Sequence, residues 1–87
     1  MKFSDINFTN GKSYPIALIE CSHGFTILIF EEPESVSKYQ IEVFKDRNYL
    51  VCQDGNFLLD LFPVYYANSN EEVEIIINKI IEKTKNN

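Results

Sequence analysis

The chain has 87 residues, of which 45% are hydrophobic and 24% are charged, and its formal net charge is −5. We expect residues 1–87 to form a single domain with one modest core, because the chain is short and its composition is not that of a disordered protein. The acidic balance argues against nucleic acid or an anionic membrane as the main partner, since both require a basic surface.

The first strands are separated by two turn signals. Asn10-Gly11 predicts a two-residue hairpin turn, because both residues tolerate positive φ. The strand before this turn is expected to contain Ile6 and Phe8, which alternate with polar residues. The strand after it is expected to run from Tyr14 to Cys21, a stretch rich in β-branched and aliphatic residues.

Ser22-His23-Gly24 is the second turn signal, and a strongly apolar strand from Phe25 to Phe30 follows it. Gly24 is the residue that allows the chain to reverse between two apolar strands. The strand after the turn is apolar on both faces apart from Thr26, and we therefore expect it to lie at the centre of the sheet.

Residues 33–45 carry two competing patterns. Apolar residues recur at helical spacing over residues 36–44. Against this, Tyr39, Ile41 and Val43 alternate strictly with polar residues, which is typical of a strand. We favour the strand and keep the helix as the alternative.

The next part of the chain is expected to be a series of short strands and turns. Residues 46–48 predict a turn, residues 49–53 a short strand, and the Asp-Gly pair at 54–55 a hairpin. A further strand is expected over residues 57–62, and a loop over residues 64–68.

The C-terminal segment predicts an amphipathic helix. Ser69 and Glu72 have the spacing of a capping box at its start. The apolar residues after them share one helix face: Val73, Ile76, Ile77, Ile80 and Ile81. β-Branched residues give this helix a mediocre propensity, so it must dock on the sheet. The predicted fold is therefore α+β, an antiparallel β-meander of five to six strands with one C-terminal α-helix packed on one face.

Residues 21–23 place a thiol, a hydroxyl and the chain's only imidazole side by side. Nucleophilic catalysis requires such groups to converge in space, whereas adjacent strand residues point to opposite faces. We expect Cys21 to be a small buried thiol and His23 a solvent-exposed turn residue, and a small enzyme that uses both is a remote alternative. The sequence does not determine whether Cys21 lies near Cys52.

Metal and cofactor motifs do not occur in the sequence. There is no C-x-x-C pair, and the three glycines are isolated at turns instead of forming a phosphate-binding loop. We therefore expect no catalytic residue, no metal ligand and no cofactor.

Two acidic segments and a tyrosine pair suit contact with another protein. Tyrosine is favoured at binding hot spots, and acidic surfaces accelerate association with basic partners. The candidate partner-binding residues are Glu31, Glu32, Glu34, Tyr65, Tyr66, Glu71, Glu72 and Glu74.

We therefore expect a non-enzymatic protein that binds and occludes a basic partner protein. Frequent Asn, Ile and Lys, whose codons are AT-rich, point to a bacterial or phage genome. Toxin-neutralising immunity proteins and phage inhibitors of nucleic-acid-acting defence enzymes have this small, acidic profile. The alternative is a subunit of a larger assembly or a homodimer. The chain has neither a secretory signal nor a bilayer-spanning run, so we expect it in the cytoplasm with reduced thiols.

Overall fold

The protein is described by a computed structural model that covers residues 1–32, 37–46, 48–49, 52–53, 56–57 and 61–85, with the backbone alone described between residues 48 and 57. Short 3₁₀ turns lie at Phe3–Asp5 and Ser22–Gly24. The regular elements are β1 (Thr9–Asn10), β2 (Pro15–Glu20), β3 (Phe25–Glu31), β4 (Tyr39–Lys45), β5 (Asn48–Tyr49), β6 (Cys52–Gln53), β7 (Asn56–Phe57), β8 (Val64–Ala67) and α1 (Asn70–Lys85).

Six of the strands form one antiparallel sheet in the order β1-β2-β3-β4-β5, and β8 also pairs with β4. Strand β4 pairs with β3 along its whole length. Its other edge is shared, because β8 pairs with residues 39–42 and β5 with residues 44–45. Strands β6 and β7 form a separate hairpin. With α1 as the one α-helix of the described residues, this confirms the predicted α+β meander and the central position of β3.

The core lies between one face of the sheet and α1. Strands β2, β3 and β4 each send alternate side chains toward the helix, and α1 contributes Val73, Ile77 and Ile80, all fully buried. The buried strand residues on this face are Ala17, Phe25, Ile27, Ile29, Tyr39, Ile41, Val43 and Ala67. Burying the isoleucine stripe compensates for its modest helix propensity, as the sequence predicts.

The strand prediction for the 33–45 segment is confirmed over residues 39–45, which form β4. The alternation decides the conformation because it places Tyr39, Ile41 and Val43 together in the core. Residues 33–36 lie outside the described part of the chain.

The first hairpin differs from its prediction. Asn10 pairs with Pro15, so residues 11–14 form a four-residue loop and Asn10-Gly11 is not a two-residue turn. The Gly11 N–H donates to the Tyr14 carbonyl oxygen (3.2 Å), and a Cβ at Gly11 would lie 2.6 Å from that oxygen. Gly11 is therefore needed for close approach and not for positive φ. The preceding strand is also shorter than expected and includes neither Ile6 nor Phe8.

The predicted loop over residues 64–68 is wrong for its first four residues, which form β8. Val64, Tyr65 and Tyr66 have high β-propensity, and pairing with β4 gives their backbone groups partners. The hairpin expected at 54–55 agrees with the pairing of Gln53 with Asn56, although residues 54–55 themselves lie outside the described part. The strand expected over 57–62 does not extend to Leu61 or Phe62.

The helix start follows the predicted capping box closely. The Glu72 N–H donates to Ser69 Oγ (3.2 Å), and the Glu72 carboxylate accepts the N–H of Asn68 (3.2 Å), one residue before the expected position. The buried stripe also continues one turn further than predicted, to Thr84, which is fully buried.

Candidate protein-binding surfaces

Tyr39 joins the two acidic segments of the sequence. Its cross-strand partner is Glu31, at the end of β3. Its hydroxyl donates to Asn70 Oδ1 (3.0 Å), at the first residue of α1 and directly before Glu71. The two segments therefore lie at the same end of the molecule. We call the set Glu31, Glu32, Glu71 and Glu72 the acidic end.

Lys38 lies beside the acidic end. Lys38 is exposed, and its Nζ lies 5.4 Å from the centre of the Tyr39 ring. Its carbonyl oxygen accepts the N–H of Glu32 (2.9 Å), and its own N–H donates to Asn68 Oδ1 (3.1 Å). Four glutamates against one lysine leave this surface acidic. Glu34, the remaining candidate in the first segment, lies outside the described residues.

Two of the candidate glutamates also stabilise the fold. Glu72 completes the helix cap, and the half-buried Glu74 accepts the N–H of Phe3 through Oε1 (2.6 Å). Glu71 is exposed in the first turn of α1, where the helix dipole favours a negative charge. Glu71 is therefore the candidate whose substitution disturbs the fold least.

Tyr65 and Tyr66 point to opposite faces of the sheet, because they are neighbours on strand β8. Tyr65 is half-buried against the core, its hydroxyl accepts the N–H of Phe62 (3.0 Å), and its ring packs edge-on against Phe62. Tyr66 is 63% exposed and pairs across the sheet with Gln40. Tyr66 is thus the available member of the pair.

Tyr66 belongs to a larger surface that the sequence analysis missed. Among the described residues, no helix packs on the sheet face opposite α1. The strand register aligns side chains on this face in three rows, which we together call the open face: Ile16, Phe30, Gln40 and Tyr66; Leu18, Leu28, Glu42 and Val64; and Glu20, Thr26 and Phe44. The apolar residues on both faces of β2 and β3 were the signal for it.

A groove of about 320 Å³ crosses the open face. It is lined by Leu18, Glu20, Thr26, Leu28 and Phe44. Leu18 is 60% exposed and forms its outer wall, whereas Leu28 and Phe44 are half-buried. The groove is therefore apolar at its base with an acidic side chain at its rim.

The tip of the β2–β3 hairpin docks on the C-terminus of α1. The Nδ1–H of His23 donates to the Thr84 carbonyl oxygen (3.0 Å), so this ring is held by a contact that the sequence does not predict. The Lys45 ammonium group donates to the His23 carbonyl oxygen and lies 4.7 Å from the centre of the Phe25 ring.

Cys21 stands beside this contact as a free, half-buried thiol. Burial raises its pKa, and a hydrogen bond with the Thr84 side chain acts in the opposite direction. The thiolate is the nucleophilic form, so this environment does not activate Cys21. Cys21 follows β2, which lies between β1 and β3, whereas Cys52 lies in β6, which pairs with β7, so the described strand pairings do not join the two cysteines. Within the described residues, no group of three His, Cys, Asp or Glu side chains has metal-binding geometry.

No protein-family model matches this sequence, and comparisons with curated proteins and with solved structures also give no match. No described helix combines the length and the apolar character needed to cross a membrane.

Proposed function

We propose that this protein is a non-enzymatic binding protein that occludes a basic surface of a partner protein through its acidic end. The observation that carries the proposal is the position of Tyr39, which pairs with Glu31 and bonds to Asn70 and so assembles two sequence-distant acidic segments. A net charge of −5 adds long-range attraction toward such a partner.

The partner class follows from the charge pattern. Clustered carboxylates carry the same sign of charge as phosphates, so they can bind to a protein face that normally binds nucleic acid. A plug of this kind suits an immunity protein that neutralises a toxin, or a phage inhibitor of a nucleic-acid-acting enzyme. The acidic end is small, so we propose a local plug and not a mimic of duplex DNA. The proposal places the protein in the cytoplasm, where the free thiol of Cys21 stays reduced.

The second candidate function is that of an interaction subunit in a larger assembly, and the open face favours it. The largest apolar patch on a monomeric protein often has a binding role. Leu18 and Tyr66 are both more than half exposed on this face.

The proposal is tested by purifying the tagged protein from its source cells at low salt, with cross-linking and mass spectrometry. The expected result is a basic protein that cross-links near the acidic end, dissociates as salt rises, and loses nucleic-acid binding in the complex. Recovery of the protein alone at low salt would contradict the proposal.

A matched pair of charge reversals makes this test specific. Glu71 and Glu82 are exposed residues at opposite ends of α1, and Glu→Lys changes the net charge equally at both. We expect Glu71→Lys to abolish capture of the partner and Glu82→Lys to preserve it. Equal loss in both variants would indicate a bulk charge effect and would overturn the site assignment.

A further inference from the structure

We propose that the open face is a docking surface for an apolar side chain flanked by Lys or Arg on the partner protein. This inference rests on the proposed function in one respect, namely that the partner is basic. It adds a second, apolar contact region to the acidic end.

The exposed apolar side chains of the open face are positioned to make such a contact. Leu18 on β2 and Tyr66 on β8 are 60% and 63% exposed, and Phe30 lies half-buried between their strands. Tyr14 packs edge-on against Phe30 with ring centres 5.9 Å apart and extends the apolar surface beyond β2. Rigid strands hold these residues, so binding them costs little backbone ordering.

The volume of the groove limits the size of the group that can bind in it. Its volume of about 320 Å³ lies at the lower end of the range for ligand pockets, about 300–1,000 Å³. One large apolar side chain therefore fits within this groove.

Charge selects the flanking residues. Glu20 is exposed at the rim of the groove and supplies the accessible negative charge of the open face, whereas Glu42 in the middle row is buried and accepts a hydrogen bond from the Gln40 amide (3.4 Å). No Lys or Arg occurs among the described residues that form the open face. A Lys or Arg beside the inserted apolar side chain complements this surface, whereas an acidic neighbour is repelled.

Area and charge both argue against a second copy of this chain as the occupant. Four strands about 4.8 Å apart and three rows along them give the open face an area of about 400 Å². Two faces would bury about 800 Å², which is typical of crystal-packing contacts, whereas stable complexes bury about 1,200–2,000 Å². A face-to-face pair would also bury the exposed Glu20 of each copy against a face whose described residues include no Lys or Arg.

A larger partner reaches the required area because the open face adjoins the acidic end. Phe30 on the open face directly precedes Glu31, and Gln40 directly follows Tyr39. The open face alone supplies about half of the roughly 800 Å² that each partner contributes to a standard interface. Glu31 follows Phe30 directly and points to the other side of the sheet, so a partner that reaches around this end of the strands gains further area from the acidic end.

The test uses a display library of random short peptides, selected on the immobilised wild-type protein alone. Selected peptides are synthesised, and their affinity is measured by fluorescence anisotropy. The expected peptides carry large apolar residues next to Lys or Arg, and Leu18→Ser and Glu20→Lys each weaken them about tenfold. Ile75→Ser is the matched control, because Ile75 is 69% exposed on the helix side, and it is expected to leave the affinity unchanged.

Three outcomes would overturn the inference: acidic selected peptides, equal binding to all four proteins, or a concentration-dependent dimer that Leu18→Ser disrupts in sedimentation experiments. The same variants separate this inference from the proposed function when they are tested with the basic partner. Loss of partner binding by Glu71→Lys but not by Leu18→Ser would exclude the open face as a binding site and support the acidic end. Loss of partner binding by Leu18→Ser but not by Glu71→Lys would support the open face and exclude the acidic end as a binding site.

Discussion

The Nδ1–H of His23 donates to the carbonyl oxygen of Thr84 at 3.0 Å, across 61 positions of sequence. This oxygen is one of the last four carbonyls of α1, which have no partner inside the helix. The hairpin tip therefore caps the helix, and the two elements that carry the core are joined at the end opposite Tyr39 and Asn70.

His23 makes this contact from a left-handed backbone conformation, with φ of 61°. His23→Ala loses the hydrogen bond, worth about 1 kcal/mol, and keeps the backbone strain. His23→Gly loses the same bond but relieves a strain of about 1–2 kcal/mol. Urea unfolding is therefore expected to show His23→Gly to be more stable than His23→Ala by about 1 kcal/mol. A less stable glycine variant would contradict the described turn.

Gly24 follows with φ of 80°, and a Cβ there would collide with the Asp46 carboxylate. The Asp46 carboxylate is the exposed end of a flexible side chain and can rotate away, so Gly24→Ala is expected to lower the free energy of unfolding by about 1–2 kcal/mol, the cost of left-handed strain. The alanine substitution should therefore cost the same in an Asp46→Ala background. A much smaller cost in that background, measured by a double-mutant cycle, would show that the collision and not the strain dominates.

Ile77 and Ile75 are two residues apart on α1 but differ in burial, at 0% and 69% exposed. Ile77→Val removes a methylene from the core and is expected to cost about 1 kcal/mol. Ile75→Val is the control, and a surface change of this kind should alter stability by less than about 0.5 kcal/mol. Thermal and urea unfolding measure the stability of both variants. Similar losses of stability would show that α1 does not turn Ile77 toward the core and Ile75 toward solvent.

Cys21 has a pKa above its ordinary value because burial disfavours the thiolate. A pKa that is higher in the folded state gives stability that is complete below the unfolded pKa and is lost as pH rises through the folded pKa. Iodoacetamide reacts with the thiolate. In a Cys52→Ser background, the rate of alkylation is therefore expected to reach its midpoint at higher pH in the folded protein than in urea. Thr84→Val should raise the folded midpoint further, since the side-chain hydrogen bond lowers the pKa. A folded midpoint at or below that in urea would exclude the buried thiol.

Local sequence patterns predict the elements whose structure depends on residues close together in the sequence. Ser69 and Glu72 mark the helix start, and the alternation around Ile41 gives β4. Gly24 reverses the chain as expected. In each case the deciding interactions span a few residues, so the pattern carries the information.

Long-range pairing accounts for what the sequence did not show. Tyr65 and Tyr66 form a strand only because β4, more than 20 positions earlier, offers an edge. The His23–Thr84 contact and the convergence of Glu31 with Asn70 around Tyr39 likewise join distant segments. The open face could not be predicted, because apolar residues on both sides of β3 indicate a central strand but do not indicate what covers each side.

The most direct test of the binding account is hydrogen–deuterium exchange on the protein alone and in complex with its captured basic partner. We expect protection on binding at the end of β3, in β8 and in the first turn of α1, which carry Glu31, Tyr66 and Glu71. Protection confined to the His23 hairpin tip and the last turn of α1 would contradict the account.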